Sequence, residues 1–261
     1  MYLRHARRNP IALLALLSVV SVVSAGCGTA AAKLRAVESP IDIDTSSVLA
    51  DPDQPTLTVL YPWGATSRML MQYQAKEPCR SRHKEEDVRG IPAPGFFVKY
   101  GDEKYELKNV HYHAPSEHKI DKTSAEVEAH LVHQNAKGDY LVLAVHLDTS
   151  ATAQSGEHDK LIDSAPPVEI CPPDPPMLPV RNNIALRGLL PADVSAYRYV
   201  GSLTTKREGE YHSPVQWLIM KQRMSLTTAS QAKLHAIWPG AAFPHGNSKP
   251  VTKAAPKVYV K

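Results

Sequence analysis

No apolar run in the chain is long enough for a permanent transmembrane helix. The most hydrophobic stretch, Ile11 to Val23, falls well short of the ~20 residues needed to cross a bilayer. An excess of charge of one sign is missing too. Thirty Lys and Arg against 26 Asp and Glu leave +4, and the basic residues gather at the two ends (Arg4, Arg7, Arg8, then Lys249, Lys253, Lys257, Lys261). That is too diffuse for a nucleic-acid footprint, which needs a basic stripe. Phenylalanine and cysteine number 3 each, and glycine only 13 against 22 prolines. So much proline argues against a helical bundle and for short elements joined by turns. What remains, 43% hydrophobic and 21% charged residues in 261, is ordinary globular composition, which excludes a fully disordered chain. The 12 histidines are the unusual abundance.

Residues 1–27 read as an export signal. Arg4, His5, Arg7 and Arg8 form a basic start, an apolar stretch follows, and Val23-Ser24-Ala25-Gly26-Cys27 closes it with small residues. Ala25-Gly26-Cys27 resembles the lipobox of bacterial lipoproteins, which would lipidate Cys27 and tether the chain to a membrane. Ser24 stands where that pattern prefers an apolar residue, and cleavage near Ala25 without a lipid is the alternative. The expected location is therefore outside the cytoplasm: periplasmic, lipid-anchored at the surface, or secreted. In an oxidising compartment Cys79 and Cys171 form a candidate disulfide, with two free thiols as the alternative. Residues 28–37 make an Ala-rich spacer, and 38–261 are expected to form one domain.

From Ile41 onward apolar and polar residues alternate in short runs cut by Pro and Gly, which is the rhythm of a predominantly β protein. The pattern predicts strands at Leu57–Tyr61, Phe96–Tyr100, Tyr105–His113, Glu126–His133, Tyr140–Leu147, Tyr197–Ser202 and Val215–Met220. Gly101-Asp102 reads as a hairpin turn, and Ala229–Ile237 as a helix capped by Thr227 or Thr228. Residues 74–94 and 150–179 lack periodicity and read as surface loops or insertions.

The chemistry concentrates in Asn109-Val110-His111-Tyr112-His113 and Glu126-Val127-Glu128-Ala129-His130-Leu131-Val132-His133. Side chains two apart on a strand share a face, so His111 joins His113, and Glu128 joins His130, while Val127, Ala129 and Leu131 face a core. Strand parity turns His133 away. Side by side, such strands converge three imidazoles from His111, His113 and His130, and three neutral nitrogens leave a tetrahedral zinc one open position. Asn109 and Glu128 lie two residues before a ligand, where they orient it. Glu117 reads as a buried carboxylate and His118 as a structural histidine. An isolated His-x-His pair is more often a core or surface feature than a metal site.

His111-Tyr112-His113-Ala114-Pro115-Ser116-Glu117-His118, Glu128-Ala129-His130-Leu131-Val132-His133 and Gly201-Ser202-Leu203-Thr204-Thr205 together resemble the α-class carbonic anhydrases. The likeness runs from Glu38-Ser39-Pro40-Ile41-Asp42-Ile43 through Val215-Gln216-Trp217 to Asn247-Ser248-Lys249-Pro250-Val251. The resemblance implies one domain around a large, mostly antiparallel twisted sheet, with Zn2+ on His111, His113 and His130 in a cone-shaped cleft. It implies reversible hydration of carbon dioxide to bicarbonate and a proton, by a zinc-acidified water with a pKa of about 7. Thr204 would accept the proton of the attacking oxygen and donate its own to Glu117. Val132, Val142, Leu203 and Trp217, with Thr205 beside them, would form the substrate pocket.

Three departures from the family stand out. Lys206-Arg207-Glu208 replaces the usual Pro-Pro-Cys after the threonines, so the loop that fixes Thr204 is altered. The Asn-Gly-His segment that carries a proton shuttle is absent, with His83 as a substitute candidate against the alternative of a solvated charged loop. The aromatic segment before Ser-Pro-Ile is missing. A catalytically silent relative that binds a partner, or an extracytoplasmic zinc-binding protein, are the competing functions.

Overall fold

A computed structural model describes residues 36–74, 87–166, 177–207, 210–239 and 243–261. The export segment with Cys27, most of the spacer, the Cys79 and Cys171 pair and His83 all lie outside those residues.

The period-2 alternation assembles into a sheet of thirteen strands among the described residues. In chain order they are β1 (Leu49–Ala50), β2 (Leu57–Val59), β3 (Met69–Gln74), β4 (Asp87–Pro92), β5 (Phe97–Tyr100), β6 (Glu103–His113) and β7 (Val127–Gln134). Then follow β8 (Tyr140–Ser150), β9 (Leu178–Pro179), β10 (Ala196–Gly201), β11 (Val215–Met220), β12 (Met224–Thr227) and β13 (Tyr259–Val260). Across the sheet the order is β9-β3-β4-β6-β7-β8-β11-β10-β13-β1, with β12 on β8, and β5 joining β2 to β6. Pairing is antiparallel except for β8 with β11, β8 with β12, and β13 with β1. The sheet is thus mostly antiparallel, as expected. Gly101, at φ 62°, is one of two residues between Tyr100 and its partner Glu103, making the turn of the predicted hairpin.

Two stretches without periodicity are not simply loops. The described end of 74–94 contains β4, which pairs β3 on one side and β6 on the other. Its polar sequence, Asp-Val-Arg-Gly-Ile-Pro, hides it. The 150–179 stretch contains a short helix, α1 (Glu157–Asp163), whose Leu161 and Ile162 are fully buried. Gly90 of β4 makes room for it: a Cβ there would lie 2.9 Å from both Leu161 Cδ1 and Met69 Cε. The predicted C-terminal helix is α2 (Thr228–Ile237), and Thr227 caps it by accepting from Ser230 N–H. Asp159 of α1 accepts from Thr227 N–H, the Thr227 hydroxyl and the Ser230 hydroxyl, which joins the two helices.

The two faces of the sheet bury separate clusters. Val110, Tyr112, Ala129, Leu131, Leu141 and Leu143 pack under the helices, while Val132, Val142, Ala144, Leu203 and Trp217 pack on the opposite face. On β6 the alternation is interrupted. Val132 pairs with Asn109 but His133 pairs with Leu107, so Lys108 is bulged out. Tyr105 and Leu107 therefore share the helix-side cluster with Val110 and Tyr112, and the odd-numbered Asn109, His111 and His113 take the other face.

Candidate active site

Register alone brings the three histidines together. His130 lies directly across from His111, and Glu128 across from His113, at the centre of the sheet. His113 and His130 are fully buried and His111 nearly so, at 9% exposed. Ring centroids lie 5.1 Å apart for His111 and His113, 5.1 Å for His111 and His130, and 4.6 Å for His113 and His130. Burial, followed by the neighbouring His130, His113 and Arg89, holds His111 well below the ordinary histidine range. Burial lowers His130 as well, against the pull of Glu128. Both rings are therefore neutral at pH 7.

Each ring has its outer nitrogen facing an acceptor. His111 Nδ1 lies 2.8 Å from Asn109 Oδ1, and His130 Nε2 lies 2.9 Å from Glu128 Oε1. His113 Nδ1 lies 3.4 Å from both the Asn247 carbonyl and Glu117 Oε1. The protons belong on those nitrogens, which leaves lone pairs on His111 Nε2, His113 Nε2 and His130 Nδ1. His113 Nε2 is buried without any hydrogen-bond partner. His111 Nε2 and His130 Nδ1 face each other at 3.3 Å. Two lone pairs repel at that distance unless a cation joins them, and ligands ~2.0–2.1 Å from a tetrahedral zinc stand about 3.3 Å apart. The donor set fits zinc.

A second group, His118, Glu128 and His130, is also close enough to hold a metal. Its polar atoms are engaged with each other instead. Glu128 Oε1 lies 2.7 Å from His118 Nδ1, and Oε2 accepts from His118 N–H at 2.8 Å. Burial alone would raise the Glu128 pKa, but His118 and His130 beside it hold the carboxyl well below its usual range. His118 Nε2 then lies 2.7 Å from the Tyr199 hydroxyl, so His118 braces the site rather than facing the metal position. His133 points to the other face, where its Nε2 meets the Tyr61 hydroxyl at 2.6 Å.

Glu117 is buried. Its Oε1 accepts from Lys249 N–H at 2.9 Å, and its Oε2 has no partner. Thr204 is buried too, and no hydrogen bond joins it to Glu117 among those of the described residues. The segment that carries Thr204 is held from several sides despite the altered loop. Ser202 Oγ accepts from Ser39 N–H, Ser202 O accepts from Trp217 Nε1–H at 2.9 Å, and Leu203 N–H donates to His212 O at 2.8 Å. The described part of the altered loop pairs Lys206 with Tyr211 in a small hairpin. Val132, Val142 and Trp217 lie in one row across β7, β8 and β11, with Leu203 in the same cluster and Thr205 half-buried at its margin.

Asn247 joins the site without a sequence signal of its own. Besides its carbonyl on His113, its side chain accepts from Ala114 N–H and donates to Tyr112 O. Membership of the Asn-Ser-Lys-Pro-Val segment is the only hint, because the contact spans 134 positions. Tyr199 and Arg89, which pairs with His111 across β4 and β6, are silent in the sequence, and Ser39 is hinted at only by its place in the Glu-Ser-Pro-Ile segment.

A buried cluster of three histidines able to hold a metal ion, on the middle strands of a mostly antiparallel sheet, is the class that fold and site define. The eukaryotic-type carbonic anhydrase family matches residues 29–242, and the chain belongs to that family. A carbonic anhydrase of Nostoc sp. is 30% identical over 162 residues, 58% of this chain and 54% of that protein. One of Klebsiella pneumoniae is 31% identical over 155 residues, 59% and 57% of the two chains. The match thus spans little more than half the length of these bacterial relatives. Among solved structures, an α-carbonic anhydrase from Thermovibrio ammonificans in complex with sulfanilamide superposes with a TM-score of 0.67 at 24% identity, over 85% of this chain and 86% of that one. Carbonic anhydrase Cah3 from Chlamydomonas reinhardtii, in complex with acetazolamide, gives 0.66 at 21%, over 95% and 99%. At these identities the likeness to solved structures speaks for the fold.

Proposed function

We propose that the chain is an exported, zinc-dependent carbonic anhydrase, with residues 38–261 as its catalytic domain, that interconverts carbon dioxide and bicarbonate. The observation that carries this reading is the convergence of three buried imidazoles, with His111 Nε2 and His130 Nδ1 only 3.3 Å apart. His111 Nε2, His113 Nε2 and His130 Nδ1 would hold the ion, and Asn109, the Asn247 carbonyl and Glu128 keep the protons on the outer nitrogens. When bound, zinc supplies a Lewis acid that brings the ionisation of water to about pH 7. Glu117, its Oε1 occupied by the Lys249 amide, has Oε2 free to accept a hydrogen bond from the Thr204 hydroxyl. Thr204 Oγ1 then accepts from the attacking oxygen and aims a lone pair at the substrate. The row of Val132, Val142 and Trp217 with Leu203 excludes water and offers carbon dioxide no competing hydrogen bond.

The test is stopped-flow carbon dioxide hydration by the zinc-loaded chain, with His130→Ala as control. Activity with one equivalent of zinc, both lost in the variant, is the expected result. A folded, zinc-containing chain without activity would instead support a binding protein that keeps the fold.

A further inference from the structure

One buried imidazole takes no part in the arrangement described so far. His146 lies on β8 at 0% exposure, and neither Nδ1 nor Nε2 has a hydrogen-bond partner. Strand register sets it directly opposite Glu128, and parity puts it on the same face as Val142 and Ala144, the metal side of the sheet. Its Nε2 is 3.7 Å from Glu128 Oε2. A neutral imidazole always carries one N–H, and burying that N–H unpaired is unfavourable, where a phenylalanine or leucine would bury no polar group. Glu128 has room for it: Oε1 accepts from His118 and His130, while Oε2 accepts only from the His118 amide.

We infer that His146 is a positioning residue of the metal centre, whose Nε2–H closes onto Glu128 Oε2 and locks the carboxylate that orients His130. The inference rests on the metal reading above. A carboxylate held by His118, His130 and His146 together cannot rotate away from His130 Nε2, so His130 Nδ1 keeps its lone pair on the metal position. Loss of such an outer partner weakens metal binding about 10- to 100-fold.

The experiment compares wild type, His146→Phe and His146→Gln, each loaded with Zn2+ or Co2+. The phenylalanine removes the donor at similar volume, and glutamine restores an N–H. His146→Phe is expected to release zinc to a chelator at least about tenfold faster and to shift the visible absorption of the cobalt form, with His146→Gln close to wild type in both. Equal release rates and spectra for His146→Phe and wild type would overturn the inference, as would a glutamine variant indistinguishable from phenylalanine. Should the variants fail to fold, nitrogen-15 NMR of the wild-type imidazoles decides: an Nε2–H tautomer at His146 supports the role and an Nδ1–H tautomer excludes it. If the wild type binds neither metal, it is the metal reading that fails.

Discussion

At the residue scale, the candidate metal position is defined less by the three histidines than by the acceptors behind them. Asn109, Glu128 and the Asn247 carbonyl decide which nitrogen of each ring carries the proton, and thereby which one faces inward. Asn109→Ala removes the acceptor for His111 Nδ1 without touching a ligand. It is expected to weaken zinc binding about 10- to 100-fold while leaving thermal unfolding of the metal-free chain nearly unchanged, as measured by competition with a chromogenic chelator. Two of these three partners are legible in the amino-acid sequence, because Asn109 and Glu128 sit at i−2 of a ligand on the same strand. Asn247 is not, because it reaches His113 from the far end of the chain.

At the element scale, the turn carrying Asn247 is fixed by Gly246. Its φ is 63°, and a Cβ at that position would lie 1.6 Å from the Ala114 carbonyl oxygen. Backbone lies against backbone there, so the clash cannot be relieved by a rotamer. Gly246→Ala is expected to destabilise the fold by more than about 2 kcal/mol and to loosen the Asn247 contact with His113, read as a lowered Tm together with faster zinc release. The helix α1 makes the complementary point on the other face. Leu161 is fully buried over Gly90 of β4, so Leu161→Ala should cost about 2–5 kcal/mol in urea unfolding, whereas a side chain in a surface loop would cost almost nothing. Neither α1 nor β4 stands out in the sequence. A seven-residue helix gives fewer than two turns of periodicity, and in β4 the face of Val88, Gly90 and Pro92 carries a glycine and a proline where an apolar strand former would signal it, with Asp87 and Arg89 on the other face. Asp87 and Arg89 are tolerated because they pair with each other, Arg89 Nε donating to Asp87 at 2.8 Å.

For the whole molecule, burial of neutral histidines makes stability depend on acid. Burial pushes His133 down to about 3 and His158 down to about 4, both from an ordinary value near 6.5. As pH falls below 6.5 the unfolded chain takes up protons that the folded rings refuse. The contribution of these rings is therefore complete above about pH 6.5 and is lost progressively down to about pH 4 and then 3. Each ring adds a slope of up to about 1.4 kcal/mol per pH unit inside its window. The urea midpoint of the metal-free chain is expected to drop steadily from pH 6.5 to pH 4.5, and His133→Phe should flatten that slope. An unchanged midpoint across the range would contradict the assignment of neutral buried rings.

The sequence by itself determined the β character, most strand positions and the faces of His111, His113, Glu128 and His130, since these follow from a period of two inside single strands. It also carried the likeness that the family match upheld. The tertiary structure decided what no local period contains. The bulge at Lys108 puts Tyr105 and His111 on opposite faces although simple alternation would put them on one. Pairing of β4 with β6 sets Arg89 beside His111, and loops remote in sequence deliver Asn247 to His113 and Ser39 to Ser202. Each of these is a contact between segments whose own composition fits several environments, and only the packing of the complete sheet selects one.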